Sequence, residues 1–591
     1  MLEDNSRLTV GDTIVHIMPS GCLPLGDDDN SEDLSDHNGP WRDPPVFPTD
    51  LFVAVAHLIH VSGLITYFDP NPDTVPNNKD RPQCFTLSMH DRESAKEAGA
   101  RWAEDFITTP KFVYKLWDDL VRAWGDRIRA SWYLQDTRRK LPAWWKSAIQ
   151  LIIIADEACV GLGAPPDSQH PARWLVDIFQ AIQAKPFART KKLAGGAYRA
   201  RRQPTSFGVD SDPDVACVQP KSRITSVGCG LRNLTKHVAY IPHVGNMRCH
   251  WHQPIESDLR EDGDTLDILI IPFPAHIEES WFRRNGDAQP DPEKRPDWGN
   301  FHIAQEWLAN ENEVVEVVAA QISKAVETLG NESLNGLILP EFALTEPLFN
   351  QVCNRAKEIA PGLEFAVTGS SSNCENETGN FVLTAIWKNN PSGRLSEKER
   401  RYLLTSRRKH HRWKLSTSQI DDYDLRRAFP QKNASWWESH RIAQREIHFF
   451  HFRQTSVFTT MICEDLARSD PCHDILRSIG PNLLFALLMD GPQLKERWPA
   501  RYAATLADDP GTSVLTVTSM GLVERTYGKY GENPVVALWK DETGDTKPLR
   551  LADGASSLLL RLEAKRTDDQ TMDGRRSQNT WSWRYREVLG L

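Results

Sequence analysis

The sequence predicts an α/β protein, with two strand-rich layers flanked by helices over residues 264–565 and a mainly helical region before them over 46–205. Three observations predict this. At 591 residues the chain is too long for one ordinary core, so about two to four domains are expected. From Pro48 to about Gly163 apolar and aromatic residues recur at three- and four-residue spacing, a helical period. From Leu266 onward short apolar runs of strand length alternate with amphipathic helical patterns.

Taken in order, residues 1–45 read as a poorly ordered leader, because Gly26 to Asp33 is acidic and polar with little to bury. The helical region opens with Leu51 to Ala56 and is rich in tryptophan: Trp102, Trp117, Trp124, Trp132, Trp144 and Trp145. Core packing is the plain reading of that stripe, and a ligand or partner face the sharper one. Residues 185–203 carry Lys185, Arg189, Lys191, Lys192, Arg199, Arg201 and Arg202 around Gly195-Gly196. With no aromatic platform beside it, this segment reads as a basic surface linker more readily than as a nucleic-acid contact. Residues 206–263 read as a β-rich connecting segment or as the start of the next domain.

Leu266 to Ile271 is a buried-strand run, Val314 to Leu329 a helix with one apolar face, Leu337 to Leu339 a strand, and Thr345 to Ala360 a helix closed by Pro361-Gly362. Strands follow at Phe365 to Gly369 and Phe381 to Trp387, the second leading into the turn Asn389 to Gly393. Phe449 to Cys463 holds two strand-like runs around Gln454-Thr455-Ser456. Asn482 to Met489, Ser513 to Thr518, Pro534 to Trp539 and Ser556 to Leu562 are further strands, with a helix at Trp498 to Ala507. Residues 566–591 read as a C-terminal tail, and no internal repeat is present.

The formal net charge of −10 is mild and gives no global reason to bind nucleic acid or an acidic membrane surface. The 10 cysteines are scattered without a CxxC pair, so neither a zinc ribbon nor a disulfide framework is indicated. Cys249-His250-Trp251-His252 invites a zinc reading, but a ligand at every second residue suits a strand face poorly and no second pair stands out. Metal and cofactor are therefore both expected to be none. No signal-peptide order opens the chain and no apolar run is long enough to span a bilayer, which makes a cytoplasmic location the expectation and a membrane partner unexpected.

Three segments carry the chemistry: Leu337-Ile338-Leu339-Pro340-Glu341, Arg408-Lys409-His410-His411 and Met461-Ile462-Cys463-Glu464-Asp465-Leu466. Each sets a reactive group beside an apolar run, and the three groups are a carboxylate, an ammonium and a thiol. Those are the groups needed to attack an amide or nitrile carbon, move its proton and stabilise the oxyanion. In order and spacing these segments resemble the nitrilase, or carbon–nitrogen hydrolase, superfamily, whose strands end in Pro-Glu, Lys-x-His and Cys followed by an aromatic or acidic residue and Asp. The resemblance extends over about residues 264–565, including Gly480-Pro481-Asn482, Ser519-Met520-Gly521 and Asp541-Glu542-Thr543-Gly544.

The resemblance implies a nitrilase-like four-layer αββα sandwich and a Glu-Lys-Cys triad. Cys463 would be the nucleophile, active as thiolate; Glu341 would carry the protons; and Lys409, with a backbone N–H near Cys463 or Glu464, would hold the oxyanion. Lys414 is a competitor for the lysine role, and Lys409 is preferred because it alone has the x-His spacing. A second glutamate that orients the lysine in many family members has no clear match here; Glu438, Asp422 and Asp424 are candidates. His410 and His411 read as walls of the cleft, and the insertions at 278–310 and 415–445 as what decides its substrate.

The expected function is a thiol-dependent amide hydrolase, less readily a nitrilase, working through a thioester on a small-molecule substrate. An acyltransferase using the same site and a catalytically silent scaffold or sensor are the alternatives. The resemblance also implies a homo-oligomer, since nitrilase-like domains commonly pair through helices. The C-terminal half is further similar to nitrilase-like domains associated with bacterial defence reverse transcriptases, although no Tyr-x-Asp-Asp tetrapeptide occurs.

Overall fold

In a computed structural model of the chain, the apolar runs from Leu266 onward become the inner strands of two sheets packed face to face. The structure describes residues 8–22, 39–71, 84–105, 108–135, 140–162, 198–199, 206–225, 227–242, 247–252, 263, 265–285, 298–387, 402–431, 435–442 and 445–591. The first sheet has eight strands, in the order Tyr198–Arg199, Tyr402–Arg408, Thr378–Trp387, Phe365–Ser372, Gly336–Ile338, Leu266–Ile270, Leu558–Gln570 and Arg576–Gly590. The second has seven: Thr546–Arg550, Val535–Lys540, Ser513–Thr518, Leu483–Leu488, Val457–Ile462, Arg445–His451 and Met247–His252. Phe365 of the first sheet meets Phe458 and Phe485 of the second at ring-centroid distances of 4.9 and 5.5 Å.

The strands are apolar without alternation because both of their faces are covered. Ile268, Ile270, Ile338, Phe365, Val367 and Val382 point between the sheets. Leu269, Leu337, Leu339, Ala366, Leu383 and Ala385 point outward, under the helices Glu311–Leu329 and Glu346–Ile359. A third, four-stranded sheet combines Lys414–Leu415, Ser435–Glu438, Trp298–Ile303 and Phe282–Arg284. It is built from the two insertions and has its own aromatic cluster of Phe301, Trp413, Phe429 and Trp436.

The helical region contains Pro48–Ser62, Met89–Glu104, Lys111–Arg122 and Trp144–Ala158. Trp102, Trp117, Trp144 and Trp145 are fully buried, which is the packing role. One contiguous apolar cluster runs from Val10 and Leu51 through Ile153 to Trp251, Phe449 and Trp583, so this region and the second sheet share a core. The hairpin of Ala216–Pro220 with Val238–Pro242 packs on Pro48–Ser62.

Two sequence expectations are corrected. Residues 8–22 of the presumed leader hold the helix Val10–Ile17, capped by Thr9 and Asp12 in a reciprocal box, with Val10, Ile14 and Ile17 buried. Residues 566–591 are no tail: they complete the strand Leu558–Gln570 and form Arg576–Gly590, with Trp583 and Ser582 buried. The acidic tract 26–33, the turn 389–393 and the basic segment 185–203, apart from Tyr198 and Arg199, lie outside the described residues. Among the described residues no helix is long and apolar enough to cross a membrane.

Candidate active site

Each functional side chain leaves the end of a strand. Glu341 lies just past Gly336–Ile338, Lys409 just past Tyr402–Arg408 and Cys463 just past Val457–Ile462, while Glu438 ends Ser435–Glu438 of the third sheet. Lys409 Nζ donates to Glu341 Oε1 at 2.9 Å and to Glu438 Oε2 at 2.6 Å. Asn380 Nδ2 donates to the same glutamates, at 2.7 Å to Glu341 Oε1 and 2.5 Å to Glu438 Oε1. All four side chains are buried. Glu438 also accepts the Trp413 backbone N–H at 3.1 Å, and of Glu438, Asp422 and Asp424 it is the acid that meets Lys409. Asp422 instead pairs with exposed Lys529 at 2.6 Å, and Asp424 contributes its carbonyl to Arg525.

Cys463 is buried, with φ 44° and ψ −110°, a backbone conformation that costs a non-glycine residue about 1–3 kcal/mol. The surroundings enforce it. Its N–H donates to the Leu487 carbonyl at 2.9 Å, and its carbonyl accepts from Leu466 at 3.0 Å. Asp465, two residues on, binds this turn to the lysine segment. Its carboxylate accepts the backbone N–H of His410 at 2.9 Å and of His411 at 3.1 Å, and Arg407 Nη1 at 3.0 Å. His411 therefore points to Asp465 as well, its Nδ1 lying 3.2 Å away. His410 Nε2 accepts the Glu446 N–H at 3.0 Å, so His410 acts as a fixed strut rather than a cleft wall.

The other candidates lie apart. Lys414 is exposed, 5.3 Å over the Trp437 ring. Glu464 is engaged by Arg468 at 3.0 Å, one helical turn away. Asn380 was not foreseen; it sits at the irregular start of Thr378–Trp387, where the register shifts between Thr378 and Phe381, and no sequence signal marks that.

Electrostatics separates the two glutamates. Burial raises Glu341 to about 7, Glu438 adding to the shift and Lys409 opposing it. Burial also acts on Glu438, but Lys409, His440 and Asn380 outweigh it and hold that carboxyl below its usual range. Lys409 stays protonated, since its two carboxylates overcome burial. Burial pushes the Cys463 thiol well up, Glu341 adds to this, and Lys409 opposes it. Cys463 is thus favoured as a thiol at rest, and its proton would have to pass to Glu341, as the sequence reading expects, before the sulfur could act as thiolate. Turnover limited by that step should rise with pH through about 7, and a pH–rate profile checks it. Stability should run the other way: the folded state favours protonated Glu341, so this contribution is present below about 4.5 and is lost as pH rises through about 7.

Gly369 makes the approach of Glu341 possible. A Cβ there would stand 2.5 Å from the Phe342 nitrogen and against the Glu341 Cα, both backbone atoms that cannot yield. Gly369→Ala is expected to cost about 1–3 kcal/mol in urea unfolding and to slow turnover by displacing Glu341.

The fold and site thus define a mixed α/β protein with a buried thiol, lysine and two glutamates at converging strand ends. No protein-family model matches the chain and no curated protein matches it. Among solved structures, it is similar to glutamine-dependent NAD+ synthetase from Acinetobacter baumannii, at 11% identity over 51% of this chain and 46% of that one, with a TM-score of 0.28. The chain therefore spans under half of that protein's length. It is also similar to XC1258 from Xanthomonas campestris, a CN-hydrolase superfamily protein with an arsenic adduct in its active site, at 13% identity over 43% and 76% of the two chains, with a TM-score of 0.25. Saccharomyces cerevisiae Nit3, a member of branch 10 of the nitrilase superfamily, gives 9% identity over 45% and 78%, with a TM-score of 0.25. Likenesses this distant carry no functional argument, which rests on the site itself.

Proposed function

We propose that the chain is a carbon–nitrogen hydrolase of the nitrilase kind, with an αββα sandwich, acting on small-molecule amides through a Cys463 thioester. One observation carries this reading: Lys409 is held by two buried glutamates, one of which keeps an oxygen, Glu341 Oε2, without a hydrogen-bond partner. An ammonium has three protons. Two go to Glu341 and Glu438, and the third is left for a developing oxyanion.

In the first half-reaction Glu341 takes the Cys463 proton as sulfur attacks the carbonyl carbon, and the oxyanion forms against Lys409. Collapse breaks the carbon–nitrogen bond, and the departing amine leaves with the proton from Glu341. Water then adds to the thioester as Glu341 takes its proton, and collapse releases the carboxylic acid and returns the thiol. Glu438 and Asn380 are positioning residues, which keep Lys409 and Glu341 in register.

A panel of primary amides and nitriles, assayed for ammonia with the Cys463 peptide followed by mass spectrometry, tests the reading. Ammonia release together with an acyl mass on Cys463, both lost in Cys463→Ala, is the expected result. Release that persists in Cys463→Ala would end it. Acyl transfer to an added amine in place of water would instead identify the acyltransferase alternative. The antiviral context and homo-oligomer formation rest on the sequence resemblance alone.

A further inference from the structure

The parallel pairing of Met247–His252 with Arg445–His451 does something the sequence does not reveal. It sets His250 opposite His448 and His252 opposite Phe450, and places Glu446 one step along the same face. That face looks between the two sheets, since Phe450 stacks on Phe458, which in turn packs on Phe365 of the other sheet. Three imidazoles are thereby buried together. The His250 and His448 rings are 5.0 Å apart and those of His252 and His448 4.8 Å apart.

Imidazole nitrogens this deeply buried normally have hydrogen-bond partners, because each orphan forfeits its hydration. Here His252 Nε2 and His448 Nδ1 have none, and His250 Nε2 and His448 Nε2 face only the Glu446 carboxylate. The carboxylate of Glu446 lies between two of these rings, with Oε1 3.5 Å from His250 Nε2 and Oε2 3.6 Å from His448 Nε2. Those separations exceed the usual hydrogen-bond range of about 2.7–3.2 Å. They are close to the edge of a tetrahedron drawn around a cation with metal–ligand bonds of about 2.0–2.1 Å, which is about 3.3–3.4 Å. Among the described residues, this is the one group of three or more histidine, cysteine or acidic side chains whose ligand atoms come together in this way, all within 4.8 Å of one another.

We propose that His250, Glu446 and His448 form a binding site for a divalent d-block cation, best matched by zinc. Two imidazoles and one carboxylate are a borderline donor set suited to that ion. His252, next on the same strand face, has its ring 4.8 Å from that of His448. The metal clips the edge strand Met247–His252 to its neighbour. It also reaches the active site through the backbone, because the N–H of Glu446 is the donor to His410, the residue after Lys409. The zinc reading dismissed on Cys249-His250-Trp251-His252 thus returns with a different ligand set: the second pair exists, but it comes from a strand almost two hundred residues away and Cys249 faces the other way.

The test uses the full chain, stripped with chelator and titrated with Zn2+ and with Co2+ as a spectroscopic probe. One equivalent of Zn2+ and the visible absorption of four-coordinate Co2+ are expected, with a metal-dependent rise in Tm. Glu446→Gln keeps the shape of the side chain, and its metal-free Tm, compared with that of the stripped wild-type chain, serves as the folding control. It should bind at least about tenfold more weakly and lose the metal-dependent Tm rise; His448→Gln should lose the coloured species. The absence of stoichiometric binding by the stripped wild-type chain would overturn the site and leave buried water as the occupant. Undiminished affinity in Glu446→Gln would overturn it too, as would binding that disappears in Cys463→Ala but survives in Glu446→Gln.

Discussion

Lys409→Met should lower turnover by about 10²–10³-fold, the effect of removing one oxyanion donor, while Lys414→Met should stay within about twofold. The asymmetry follows from placement. Lys409 Nζ is buried between two carboxylates, at 2.9 and 2.6 Å, whereas Lys414 is in solvent. Methionine keeps the length of the stem but removes the charge, leaving Glu341 and Glu438 to face each other across the gap. The pair would then take up a proton, so the variant's remaining activity should have its acid limb displaced to higher pH. Rate constants for the two lysine variants, with Tm recorded to separate folding from chemistry, check this. Equal losses in both would remove the oxyanion role from Lys409.

The largest stability effect is expected far from the thiol, at Arg575. This guanidinium, from the turn between the last two strands, donates through Nη1 to Asp156 Oδ2 and Glu157 Oε1, both at 2.8 Å, and through Nε to Asp573 at 2.8 Å. Asp156 in turn accepts the backbone N–H groups of Lys236, His237 and Val238. One buried network therefore fastens the helix Trp144–Ala158, the hairpin at Val238–Pro242 and the C-terminal strands together. Arg575→Leu takes the cation from buried Asp156 and Asp573, leaves Glu157 with Lys236 at 3.1 Å, and should cost about 3–5 kcal/mol. Urea unfolding of the full chain measures it. A loss below about 1 kcal/mol would mean that the apolar core alone holds these parts together.

How much of this was legible depended on whether a residue is marked by its own neighbours. Glu341 and Cys463 each follow an apolar run, so the end of a strand and the start of chemistry coincide in the sequence; Lys409 follows Thr405-Ser406-Arg407-Arg408 and is marked instead by its spacing to His411. Glu438 also ends a strand, but Trp436 and Trp437 did not separate it from Asp422 and Asp424; only the parallel pairing of Ser435–Glu438 with Trp298–Ile303 carries it to Lys409. Asn380 had no local mark, since its role depends on an irregularity in strand register. The helix Val10–Ile17 was hidden by its short length and by the acidic tract downstream. The last strand and the far half of the one before it were missed because Lys565 to Gln570 and Arg576 to Thr580 are polar, and Thr580 to Tyr585 alternates polar with aromatic residues. The His250, Glu446 and His448 cluster depends on pairing between distant strands, which periodicity within one segment cannot disclose.

The central claim is that Cys463 is a nucleophile activated by Glu341, and it needs no substrate to be tested. Iodoacetamide, itself a small amide, can be followed peptide by peptide at neutral pH on the wild-type chain and on Glu341→Gln. Cys463 should react well ahead of the equally buried Cys22, Cys159, Cys249, Cys353 and Cys472, and Glu341→Gln should remove that advantage. A Cys463 that reacts no faster than those cysteines, or just as fast without the Glu341 carboxylate, would contradict the account.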